Sequence, residues 1–151
     1  IGNSVPKVDE KSAISLYHAF RLAVEKRLIA SALSPQFGGL GVTRAKKAIA
    51  GQFGMEIDLT KIPGFLNFNA NNSLRLDYLL FSESQSRFIV TINPKNKTEF
   101  EKHFSSFTFA KIGTVTNDQN FILKSGSKEI IKTNIATLDQ YYRKTFNRFT
   151  T

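Results

Sequence analysis

The sequence predicts an α/β (α+β) sandwich, with helices packed on a mixed sheet rather than a doubly wound parallel sheet. Three observations carry that expectation. Apolar residues recur at helical spacing in some segments and alternate at strand spacing in others. A hairpin-like turn at Asn117-Asp118 joins two of the strand-like runs. The 151 residues, 41% of them hydrophobic, suffice for one sizeable core. Fourteen Phe and no Trp make that core largely phenylalanine. Residues 1–10 read as a lead-in and 11–151 as a single domain, without an internal repeat.

Ser12 to Ala30 reads as an amphipathic helix, with Ala13, Tyr17, Phe20, Val24 and Leu28 as its stripe and Asp9 or Ser12 as N-cap. Ser31 to Gln36, with Pro35, reads as a turn. Gly39 to Gln52 is a second helix burying Leu40, Ala45, Ala48 and Ile49, bracketed at its end by Gly51 and Gly54. Met55 to Leu59 alternates as a short strand, and Pro63, Gly64 and the Asn-rich run from Asn67 to Asn72 form a connection. Asn72 or Ser73 caps a short helix through Leu80. Phe88 to Ile92 is apolar on both faces and so reads as a central strand, stopped by Asn93-Pro94. Asn96 with Glu99 gives a capping-box-like start to a helix carrying Phe100 and Phe104 inward. Phe107 to Val115 and Phe121 to Leu123 are strands flanking the Asn117-Asp118 turn. Ile135, Leu138, Tyr142, Phe146 and Phe149 mark a terminal helix.

Composition narrows the function. Without Cys there is no disulfide framework, thiolate metal site or cysteine nucleophile. No apolar run is long enough for a membrane span, and the first ten residues lack a signal-peptide core, which makes a cytoplasmic location the default expectation. A chain beginning at Ile reads as a fragment or a processed product. The formal charge of +9 favours anionic partners: nucleic acid, phosphorylated metabolites or an acidic protein face. Its Lys and Arg are dispersed, with Arg44-Lys46-Lys47 the densest group, whereas a nucleic-acid groove concentrates them in a stripe. Nucleic acid is therefore the less favoured partner.

Two constellations could carry binding chemistry. Gly38-Gly39-Leu40-Gly41 lies where a loop enters a helix, so it reads either as an anion cradle of backbone N–H groups or as a tight turn needing glycine. It is neither a Walker A loop nor a dinucleotide fingerprint. Ser82, Glu83, Ser84, Gln85 and Arg87 bring hydroxyl, carboxylate, amide and guanidinium groups to the start of an apolar strand. They read as a ligand-facing turn or as a capped helix end with an Arg–Glu surface pair. His18 and His103 have no acidic partner nearby in sequence, and Asp9, Glu10, Glu56 and Asp58 form no metal-ligand pattern. Phe107 and Phe109 fit core packing better than a base-stacking platform.

An ordered series of segments carries a family resemblance. Ile29-Ala30-Ser31-Ala32-Leu33-Ser34 runs into Gly38-Gly39-Leu40, followed by Ala50-Gly51-Gln52-Phe53-Gly54-Met55-Glu56-Ile57-Asp58-Leu59. Leu80-Phe81-Ser82-Glu83-Ser84-Gln85-Ser86-Arg87-Phe88 and Ile112-Gly113-Thr114-Val115 come next. Over nearly its whole length the chain resembles the last aminoimidazole-ribonucleotide-synthetase-type C-terminal domain of phosphoribosylformylglycinamidine synthase, the formylglycinamide ribonucleotide amidotransferase of purine biosynthesis.

The resemblance implies a partly ferredoxin-like topology and a place beside an N-terminal ATP-binding domain of the same enzyme. That enzyme is an ATP-dependent C–N ligase, converting formylglycinamide ribonucleotide and glutamine-derived ammonia to the amidine. ATP and Mg2+ are its cofactors, a glutaminase domain or subunit its partner, and the isolated chain is expected to be inactive and to bind neither cofactor alone. Gly38, Gly39, Ser82, Glu83, Ser84, Gln85 and Arg87 are then substrate- or nucleotide-binding residues, with no catalytic or metal-ligating residue in the chain. Relatives commonly carry His-Asp-x-Ser-Asp-Gly-Gly before the second helix. Here Ala32-Leu33-Ser34-Pro35-Gln36-Phe37-Gly38-Gly39 lacks the His and both acids, so no acidic ligand is implied at this turn. Two expectations of other classes stand beside this one: a basic nucleic-acid-binding module, and a purely structural subunit-contact domain.

Overall fold

The computed structural model describes residues 7–65 and 75–144. Its contacts divide the chain into two compact units, one drawn from Ile1–Thr43 and Leu74–Phe109, the other from Arg44–Ser73 and Ala110–Thr151.

In the first unit, helix α1 spans Glu10–Glu25. Asp9 is extended, and its Oδ1 accepts the Ser12 N–H at 2.7 Å, satisfying one of the orphan donors at the helix start. The helix ends earlier than its periodicity suggests, because Arg27 takes φ +56° and turns the chain back. The expected stripe mixes two faces. Of its residues Ala13 and Leu28 are buried and Phe20 is half-buried, while Tyr17 and Val24 are exposed. The inward face runs instead through Leu16, Ala19 and Ala23, and the small side chains of Ala19 and Ala23 admit Phe100 of helix α4 (Lys97–His103) and Phe104 at its C-cap. Phe100 and Phe104 point inward as expected, and burying each stabilises the unit by about 1.5–3 kcal/mol.

Ser31–Leu33 is not a turn but a strand, β1, antiparallel to β3 (Ile89–Thr91), with Ser31 opposite Thr91. Its partner lies 60 positions away, beyond any local signal. For the same reason β3 is not a central strand: it is a three-residue member of a two-stranded sheet, half-buried on both faces. Asn93-Pro94 ends it as expected, with Asn93 Oδ1 accepting the Lys95 N–H at 3.1 Å. Helix α3 spans Leu76–Phe81 and buries Leu79 and Leu80. Its expected caps, Asn72 and Ser73, and the Asn-rich connection lie outside the described residues. The capping-box expectation at Asn96 fails, because its amide turns away to donate to the Arg27 carbonyl at 3.0 Å.

Helix α2, Gly39–Gly51, contains the boundary between the units and buries Leu40 and Ala48 as expected, with Thr43 and Arg44 besides. Strand β2 follows at Gly54–Asp58, burying Met55 and Ile57 and exposing Glu56. Leu59 belongs instead to the 3-10 turn Leu59–Lys61, which Asp58 caps. The second unit's sheet has the order β4-β2-β5-β6, with β4 at Gly113–Thr116, β5 at Asn120–Ser125 and β6 at Lys128–Asn134. β2 runs antiparallel to β4 and parallel to β5, and β5 antiparallel to β6, so the sheet is mixed as predicted.

Two details differ. The expected strand from Phe107 contracts to β4, and Asn117-Asp118 is not a hairpin, because β2 with its apolar Met55 and Ile57 lies between β4 and β5. Asp118 braces that connection instead: its carbonyl accepts the Gly54 N–H at 2.7 Å and its Oδ1 the Thr116 hydroxyl at 2.8 Å. The hairpin is β5-β6, turning at Gly126. β6 has no strand expectation from sequence because Lys128, Glu129 and Lys132 charge it, as suits an edge strand. Helix α5, Ile135–Arg143, is capped by Asn134, buries Ile135 and leaves Tyr142 exposed; Phe146 and Phe149 lie outside the described residues.

Candidate functional site

The two segments singled out in the sequence meet in the first unit. Gly38 and Gly39 adopt φ +85° and +59°, a conformation open to glycine at little cost. Gly39 also passes against the end of α3: a Cβ there would lie 2.6 Å from the Ser82 carbonyl oxygen and 2.8 Å from that of Leu80. Beside this contact the Gly38 N–H donates to Glu83 Oε1 at 2.8 Å. A carboxylate of the chain itself thus takes the backbone donor at the entrance to α2, the polarity favoured at a helix N-terminus. Both readings of the Gly-Gly turn are met in part: it is a tight turn by necessity, and its N–H binds an anion, that of Glu83.

Arg87 does not pair with Glu83 across the surface. Its guanidinium donates from Nη2 to the Ser82 carbonyl at 2.5 Å and from Nε to the Ser84 carbonyl at 3.1 Å. The group is half-buried, and that burial pushes its pKa down from its ordinary value. Ser86 takes φ +56°, and its Oγ lies 3.1 Å from the Tyr17 hydroxyl of α1. Arg87 and Glu83 therefore shape and tether the Ser82–Arg87 loop, and Glu83, Ser84 and Gln85 stand exposed on it. Tyr17 and Ser86 were not foreseen as parts of this constellation, since nothing local in the sequence joins residues 69 positions apart. Phe37, just before the turn, is 85% exposed.

The other candidates have structural partners. His103 Nε2 lies 2.8 Å from the Ala19 carbonyl, bracing α4 against α1. Glu56 accepts Lys124 Nζ at 2.7 Å, and Asp58 Oδ1 accepts both the Thr60 hydroxyl, at 2.7 Å, and the Thr60 N–H, at 3.0 Å. Phe107 packs against the core and Phe109 meets Phe100 edge-on. A surface cavity of about 370 Å³ in the second unit is lined by Glu56, Asp58, Lys61, Lys111 and Thr114 among others. Among the described residues no three His, Cys, Asp or Glu side chains gather as metal ligands, and no helix is long and apolar enough to cross a membrane.

The chain resembles known proteins over most of its length. The family model for the AIR synthase related protein C-terminal domain matches residues 3–125. The phosphoribosylformylglycinamidine synthase subunit PurL of Methanocaldococcus jannaschii is 31% identical over 143 residues, which is 94% of this chain and 18% of that protein. PurL of Thermococcus sibiricus is 29% identical over 137 residues, 91% of this chain and again 18% of the relative. The chain thus spans about a fifth of the length of these relatives. Among solved structures, Thermotoga maritima PurL complexed with FGAR aligns with TM-score 0.74 at 19% identity, over 89% of this chain and 22% of that one. The same protein complexed with ATP aligns with TM-score 0.68 over 82% of this chain and 21% of that one. These likenesses establish the mixed α/β fold, and the matches favour the enzyme-domain expectation over the nucleic-acid-binding and subunit-contact ones.

Proposed function

Because the chain belongs to the family of AIR synthase related protein C-terminal domains, we propose that it is the C-terminal domain of a phosphoribosylformylglycinamidine synthase. In that enzyme it forms one wall of the cleft for a phosphorylated ribonucleotide. The reaction is ATP-dependent C–N ligation, making formylglycinamidine ribonucleotide from formylglycinamide ribonucleotide and ammonia released from glutamine. One observation carries the reading: the 2.8 Å bond from the Gly38 N–H to the Glu83 carboxylate, which joins two motifs 45 positions apart into one surface. On that surface Gly38 and Gly39 set the turn. Ser82, Glu83 and Arg87 shape the loop, and Ser84 and Gln85 offer the ligand a hydroxyl and an amide. An amide is suited to a ribonucleotide's carbonyl and hydroxyl groups, because it both donates and accepts.

ATP and Mg2+ belong, on this reading, to the part of the enzyme outside this chain. At the turn the Gly38 N–H already holds a carboxylate of the chain itself, which supports placing the nucleotide's phosphates elsewhere in the enzyme. No step is therefore assigned to this chain beyond binding and orienting the ribonucleotide. The enzyme's own N-terminal ATP-binding domain is the partner that covers the turn, a role supported by the exposed Phe37 ring beside it. A glutaminase supplies ammonia, and the whole acts in the cytoplasm. In the full-length protein, Gln85→Ala should raise KM for formylglycinamide ribonucleotide about tenfold, the effect of about 1.4 kcal/mol of lost binding. An unchanged KM in a variant of unchanged stability would refute the role. The isolated chain should form no ADP with the ribonucleotide, ammonia and ATP, and turnover by it would refute its dependence on the missing domain.

A further inference from the structure

Tyr17 lies on α1, outside both motifs, yet it reaches the loop they form. Its hydroxyl is 3.1 Å from Ser86 Oγ, and its ring meets Phe88 edge-on with centroids 5.8 Å apart. One turn away, Phe20 stacks on the same Phe88 ring at 4.3 Å, so α1 grips the residue where the loop runs into its strand. Ser86 has φ +56°, a conformation that a residue with a Cβ keeps only where its surroundings hold it. Besides the Glu83 bond to the Gly38 N–H, the loop has ties on either side of its tip. Arg87 fastens its first half through the Ser82 and Ser84 carbonyls, and Tyr17 fastens its second half through Ser86. Between these ties stand the exposed side chains of Ser84 and Gln85.

We propose that Tyr17 is a positioning residue: its hydroxyl, acting through Ser86, holds the Ser82–Arg87 loop in the shape that presents Gln85 to the ribonucleotide. The role rests on the reading that this loop lines the ribonucleotide cleft. Tyr17→Phe removes the hydroxyl and keeps the ring against Phe88, so packing of α1 is preserved. In the full-length protein, Tyr17→Phe should speed hydrogen exchange of a peptide covering residues 82–88 by about three- to tenfold, the equilibrium worth of one hydrogen bond. KM for formylglycinamide ribonucleotide should rise by a similar factor, with kcat within about twofold and thermal stability unchanged. Ser86→Ala should reproduce both changes, and the double variant should be no worse than either single one, because both remove the same bond.

Gln85→Ala serves as the control for the cleft itself. If it raises KM while Tyr17→Phe alters neither exchange nor KM, the Tyr17 role is overturned and the cleft reading stands. If Gln85→Ala leaves KM unchanged, the cleft reading fails, and presentation of Gln85 to the substrate falls with it. Exchange data then decide whether Tyr17 holds the loop at all. Additive effects in the double variant would overturn the coupling through Ser86.

Discussion

Replacing Gly39 with alanine tests the close approach on which the candidate site is built. Two costs add. An L-residue at φ +59° costs about 1–2 kcal/mol. The new Cβ would lie 2.6–2.8 Å from the Ser82 oxygen, the Phe81 carbonyl carbon and the Leu80 oxygen. All three are backbone atoms, so relief requires the end of α3 to move, and overpacking of that kind costs about 1–3 kcal/mol. The expected destabilisation is about 2–5 kcal/mol. Gly126→Ala supplies the reference: φ is +62° there and a Cβ would meet nothing within 4 Å, leaving the conformational cost of about 1–2 kcal/mol alone. Urea unfolding of the 151-residue chain followed by circular dichroism, with melting temperature alongside, measures both variants. At about 2–4 °C per kcal/mol, Gly39→Ala should melt several degrees below Gly126→Ala. Equal destabilisation of the two would show that Gly39 is present for its φ alone, and the packing argument would fall.

Other consequences are open to the same methods. Asp58 has its carboxyl pKa held below the ordinary value first by the Thr60 hydroxyl, then by the Thr60 and Gly126 N–H groups and Lys61. A depressed folded-state pKa contributes stability above the unfolded value of about 3.9 and loses it as pH falls through the lower folded value. Asp58→Asn should therefore lower the melting temperature at pH 7, with the gap from wild type closing below about pH 4; a gap independent of pH contradicts the assignment. Phe100→Ala removes a ring packed among Ala23, Leu28 and Phe104 and should cost about 3–5 kcal/mol in urea titration, a loss below about 1 kcal/mol being incompatible with that core.

Sequence alone located most helices and missed most of the pairing, for a physical reason. α1 and α2 announce themselves through caps, glycines and periodicity within one stretch, and Asp9 does cap α1. Phe100 and Phe104 sit at i and i+4, so their shared inward face was legible too. Strand pairing is a relation between distant segments. β1 resembled a turn until Ile89–Thr91 is set beside it, and the Asn117-Asp118 turn resembled a hairpin until β2 is inserted between its arms. The site divides in the same way. The glycine turn and the polar loop were each visible as clusters of unusual residues, but the bond joining them, the use of Arg87 on carbonyls and the reach of Tyr17 depend on backbone geometry and on contacts across 3 to 69 positions.

The strand order of the second unit bears on how the chain comes to be made. β2 sits between strands that follow it much later, with Glu56 meeting Lys124 68 positions onward, and the intervening Leu74–Phe109 segment belongs to the first unit. As the polypeptide leaves the ribosome, β2 emerges with both edges bare and stays so until β4 and β5 have been synthesised, some seconds at about 5–20 residues per second. In that interval the first unit can complete its own contacts, closing its α1–α4 core while the sheet waits. Interruption of synthesis after Phe109 would leave both backbone edges of β2 unpaired, an aggregation hazard that full-length synthesis removes.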